Sequence, residues 1–197
     1  YFVFMLSSFV LPYSFLPIFL LEVACYTWFL YLSGKVINLF LEKEYLYFIL
    51  PLLASLIAGS IFFSGGGSAE EFCLPIITKM LYDLLLYFTS REIRKRDIVA
   101  DGFLAGVMAM VKFTFLGFPF AFMMCIFFDF LFSKKYFQSF FSCFLFLLGM
   151  SVPILGFCLY FYFHQGLQDF VRTYFLFNIF GYTKKVPLLL KMKMIFL

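Results

Sequence analysis

Charge is what this sequence has least of. Asp, Glu, Lys and Arg make up 13% of its 197 residues, against about 25% in ordinary soluble domains. A globule of this size leaves much of its surface in water whatever its fold, and so little charge cannot dress it. A soluble enzyme, a disordered tail and a nucleic-acid-binding module are excluded on that ground. Histidine occurs once, as His164. The sequence has no HExxH, no Ser/His/Asp set and no paired-cysteine zinc pattern. The cysteines (Cys25, Cys73, Cys125, Cys143 and Cys158) are scattered without a CxxC and read as small apolar residues inside helices.

What fills the chain instead is apolar. Hydrophobic residues are 64% of it, 35 residues are phenylalanine, and the mean hydropathy is +1.01. A membrane span needs roughly 20 apolar residues to cross about 30 Å of hydrocarbon. Such segments fall near residues 16–32, 45–63, 72–88, 102–132 and 137–163, with an apolar lead-in from Phe2 and a last partial span near Val186. The expected fold is an all-α, polytopic transmembrane helical bundle of about six to seven spans in one membrane-embedded domain. The chain opens on Tyr1 and stops at Leu197 within the apolar run PLLLKMKMIFL, so it reads as an internal fragment of a longer membrane protein.

The 102–132 stretch is too long for one helix. Its 31 residues would climb about 46 Å at 1.5 Å each. Lys112, Gly117 and Pro119 interrupt it, so two short helices with a turn between Lys112 and Pro119 are predicted. Charge supports the break. Lys35 and Lys43, then Arg91, Arg94, Lys95 and Arg96, then Lys134 and Lys135 occupy three loops. The hairpin places all three loops on one side, the cytoplasmic side by the positive-inside rule. The loop 64–71, without a basic residue, falls on the other. Loop 164–185 then lies outside despite Arg172, Lys184 and Lys185, a mild conflict. Gly102 and Gly106 form a GxxxG face that lets two helices approach closely.

Charged residues inside spans are the informative ones, because each costs at least about 2.5–3.5 kcal/mol at the bilayer centre. In GGGSAEEFCLP, residues 65–75, Ser68 and Glu71 form a capping box opening a helix. Glu70 stands outside that role, and the two adjacent carboxylates could hold a divalent metal or a sugar amine. Lys112 either snorkels to the outer interface or faces a cavity and holds a lipid phosphate. Lys79 and Asp83, four apart, read as an intramembrane ion pair. Glu22 in the first span is either protonated or bonded to a neighbouring helix. His164 reads as interfacial, and Asp97 and Asp101 as solvated in the basic loop.

The order of these features, with GGGSAEEFCLP (65–75), AGVMAMVKF (105–113) and FNIFGY (177–182), resembles the membrane core of GT-C type glycosyltransferases. The branch is that of the bacterial proteins related to protein O-mannosyltransferases, lipid A aminoarabinose transferases and Rhizobium lipopolysaccharide galacturonosyltransferases. The resemblance covers about residues 12–182. It implies an integral protein of the bacterial cytoplasmic membrane that moves a sugar from a polyprenyl-phosphate donor to a glycan, lipid or protein acceptor on the extracytoplasmic face. By the resemblance, Glu70 and Glu71 line the outer cavity and help hold metal, donor or acceptor. Lys112 meets the donor phosphate, and Asn178 and Tyr182 sit near the cavity. The first span, with its outer loop and catalytic base, is expected before Tyr1, and further spans after Leu197. Relatives often carry Gly-Gly-Asn where this chain has Gly65-Gly66-Gly67. The competing expectations are a transporter or flippase for a lipid-linked or amphiphilic substrate, which broken helices and midplane charges also suit, and a non-catalytic membrane subunit.

Overall fold

A computed structural model describes residues 15–60, 68–174 and 176. Among these the chain is helical and has no strand. The helices are α1 (Leu16–Ile37), α2 (Leu46–Ala58), α3 (Ala69–Ser90), α4 (Lys95–Val111), α5 (Gly117–Phe132), α6 (Tyr136–Phe163) and the single turn α7 (Leu167–Phe170). Four helical segments, Leu16–Ile37, Ala69–Ser90, Phe113–Phe132 and Tyr136–Phe163, are long and apolar enough to cross a membrane. The chain is therefore an integral membrane protein in its broad class. The Gly-rich segment 65–67, the FNIFGY motif with Asn178 and Tyr182, the lead-in from Phe2 and the segment at Val186 lie outside the described residues.

The chain divides into two compact units, 1–154 and 155–197, with the boundary inside α6. In the first unit, α3 and α4 are the centre. The seam of α3 buries Cys73, Ile76, Met80 and Tyr87, and α4 answers with Ile98, Asp101, Ala105 and Met108. Both sets recur at three- and four-residue steps, which place them on one helix face. Rings such as Phe15, Phe132 and Phe137 are more than 80% exposed. In lipid such exposure costs nothing, since acyl chains are as apolar as the rings.

The predicted break is present. α4 ends at Val111, Lys112 is extended at φ −152° and ψ 100°, a short 3₁₀ turn covers Phe113–Leu116, and α5 starts at Gly117. The chain thus returns toward the end from which α4 began. A cavity of about 300 Å³ is lined by Arg91, Arg94 and Lys95 and also by Lys135, so these two basic loops share one end of the first unit. A single unbroken span would have separated them.

The GxxxG face also performs as expected. A Cβ on Gly102 would overlap the Phe146 carbonyl, and one on Gly106 would overlap the Met150 carbonyl and the Pro153 ring. From the other side, Gly149 of α6 leaves no room for a Cβ against the Val99 carbonyl. Backbone meets backbone here because three side chains are missing.

In the second unit, Phe161 stacks on Phe170 with centroids 4.6 Å apart, and His164 stacks on Tyr160 at 4.3 Å. His164 is exposed at the end of its helix, and its Nδ1 lies 2.9 Å from the Tyr160 carbonyl.

Candidate functional site

The start of α3 is built by its cap. Ser68 has the extended backbone of an N-cap, and its Oγ accepts from the Glu71 N–H at 3.3 Å. The Glu71 side chain accepts in return from the Ser68 N–H, which completes the capping box. Glu71 is 3% exposed and interacts with Glu22 of α1. Glu71, expected beside Glu70 in an outer cavity, thus turns into the bundle, because the cap fixes its rotamer. Glu22 interacts with a neighbouring helix, one of the two states its sequence position suggests.

Glu70 points elsewhere. Its carboxylate takes the Lys112 ammonium in an ion pair, and both side chains are about one-third exposed. Lys112 also stands 5.2 Å from the Phe115 ring centroid. These residues are forty-two apart in sequence. They meet because α4 runs back alongside α3 and breaks level with its start. The pair lies at the opposite end of α3 from Arg91, which terminates that helix. A partly exposed lysine at a helix break can exchange its carboxylate for a phosphate oxygen.

Deeper along the same seam sits a second cluster. Lys79 Nζ lies 2.5 Å from Asp83 Oδ2 and 2.5 Å from Asp101 Oδ1. The Lys79–Asp83 pair was expected, but Asp101 was not. It is 0% exposed, so its assignment to a solvated loop is corrected. The physical reason is that α4 begins at Lys95, nearly two turns before Asp101, while hydropathy detects the helix only from Gly102. The spacing Ile98, Asp101, Ala105, Met108 was the available signal. A third cluster closes the basic end: Tyr87 donates to Asp129 Oδ2 at 2.5 Å, and Arg91 donates to Oδ1 at 2.8 Å. Sequence reading passed over Asp129, since its partners are on another helix.

Among the described residues Glu70 and Glu71 do not come together as a divalent-metal site. The Glu70 carboxylate already holds an ammonium, Glu71 is committed to the cap, and no group of three or more His, Cys, Asp or Glu gathers among the described residues. All five cysteines are free thiols. Comparison of the chain with protein-family models, with curated proteins and with solved structures finds no match.

Proposed function

We propose that this chain belongs to the membrane core of a glycosyltransferase that moves a sugar from a polyprenyl-phosphate donor to an acceptor hydroxyl or phosphate, at the extracytoplasmic face of a bacterial cytoplasmic membrane. The observation that supports the reading is the meeting of Glu70 with Lys112, away from the basic loops. These are two of the positions the GT-C resemblance picks out. In the reaction the acceptor oxygen attacks the anomeric carbon, the carbon–oxygen bond to the lipid phosphate breaks, and the acceptor's proton goes to a base. Lys112 stabilises the negative charge that grows on the departing phosphate. Glu70 holds Lys112 in place until the donor arrives.

The test is transfer of sugar from lipid-phosphate donor in membranes from cells expressing the protein. Lys112→Ala should lower turnover about ten-fold or more, equivalent to at least about 1.4 kcal/mol of transition-state stabilisation. Unchanged turnover would remove Lys112 from the site. A cysteine placed at Ser68 should react with an impermeant thiol reagent from outside, and one at Arg94 only after permeabilisation. The reverse pattern would put the site on the wrong face. A transporter reading is favoured by a different observation, the Lys79–Asp83–Asp101 cluster within the bundle, of which Asp101 is fully buried. Donor-independent, gradient-driven uptake in proteoliposomes would select it.

A further inference from the structure

Two carboxylates and one ammonium do not cancel. With all three groups ionised, the Lys79–Asp83–Asp101 cluster holds one unbalanced negative charge. Asp101 is fully buried, and its Oδ2 has no hydrogen-bond donor among the described residues. An uncompensated charge with an empty acceptor is costly in an apolar interior.

Among the described residues no further ion pair reaches Asp83 or Asp101. On α4, Asp97 is taken up by Arg94 and Arg96. On α5, Asp129 is held by Tyr87 and Arg91. α6 carries no charged residue between Tyr136 and Phe163. On α1, Lys35 stands over the Tyr31 and Tyr82 rings at 4.7 and 5.5 Å. It faces the Asp83 side and makes no ion pair with either carboxylate among the described residues.

We infer that this cluster is a proton-binding site, in which hydronium gives one proton to the carboxyl pair Asp101 and Asp83 and leaves as water. One O–H bond forms on a carboxylate oxygen, one breaks on hydronium, and no electrons change hands. The protonated cluster is neutral. One ammonium lies 2.5 Å from an oxygen of each carboxylate, so Asp83 and Asp101 converge on one point. A metal cation fits poorly, because an ammonium already occupies the centre of the cluster.

The cavity geometry sets the route. A cavity of about 300 Å³ at the basic end is lined by Asp83 together with Ser90, Glu92, Arg94 and Asp97. Toward the Glu70–Lys112 pair, the seam is closed by buried Cys73, Ile76, Ala105 and Met108. Among the described residues the site therefore opens toward the basic end, and this holds whichever reading of the protein's function is correct.

Dicyclohexylcarbodiimide reacts with protonated carboxyls in apolar surroundings, and mass spectrometry locates the adduct. In the full chain in lipid nanodiscs, the adduct should form on Asp101 or Asp83. Above its midpoint the yield should fall about ten-fold per pH unit, and sodium at constant pH and ionic strength should not protect. Asp101→Asn keeps the side-chain volume and the Lys79–Asp83 pair, and should abolish the adduct. If that variant does not fold, the pH profile and the sodium arm on the unaltered chain decide. Absence of adduct on both carboxyls, a pH-independent yield, or protection by sodium would each overturn the proton site.

Discussion

α4 has two working faces, and they are held in opposite ways. Toward α3 it presents Asp101 and Lys112, each paired with a charge on the other helix. Toward α6 it presents Gly102 and Gly106, which offer no side chain at all. The first face relies on charge in a medium that penalises charge. The second relies on closeness, and dispersion and weak Cα–H contacts accumulate where backbones touch. Both are answers to one condition: lipid removes the hydrophobic drive for helix association, so packing and polar contacts must replace it. The two answers differ in what they tolerate. A charge cluster can change state by gaining a proton or losing a partner, whereas a backbone contact is either present or broken.

The sharpest way to break this contrast is Lys79→Met. Removing the ammonium strands the buried Asp101 and the partly buried Asp83, and losses of about 3–5 kcal/mol are usual when one partner of a buried pair goes. The solubilised protein should lose thermal stability by that order, with recovery when Asp83→Asn and Asp101→Asn are added. An unchanged melting curve for the single variant would mean the charged face contributes nothing. Next in size is Gly102→Ala, which forces a methyl group against the Phe146 carbonyl and should cost about 1–3 kcal/mol, read from the same thermal curves. Gly117→Ala is the small-effect control. Nothing lies within 4 Å of its Cβ position, and the change should be neutral or stabilise by up to about 1 kcal/mol. Equal losses at both glycines would show that close approach is not what Gly102 supplies.

Sequence reading succeeded where the cause is local. The helix break was legible because Lys112, Gly117 and Pro119 cluster within a few residues, and the cap because Ser68 and Glu71 have the right spacing. It failed where the cause is a partner on another helix. Asp101 was hidden by a helix start that is charged, so hydropathy placed it in the loop. The Glu70–Lys112 pair joins residues forty-two apart, which no local spacing reveals. The second span, expected at 45–63, is described as helix only over Leu46–Ala58, with a 3₁₀ turn at Lys43–Tyr45 before it.

The Glu70–Lys112 pair joins two helix ends of opposite polarity. Glu70 sits in the first turn of α3, where free backbone N–H groups carry the equivalent of about half a positive charge. Lys112 sits immediately after the last residue of α4, where free carbonyls carry the equivalent of about half a negative one. Each side chain is thus compensated by its partner and by the terminus of the helix on which it sits. An arriving anion that draws the lysine aside leaves the glutamate on the positive pole of α3. The rearrangement moves one flexible four-carbon arm and leaves both helices where they are.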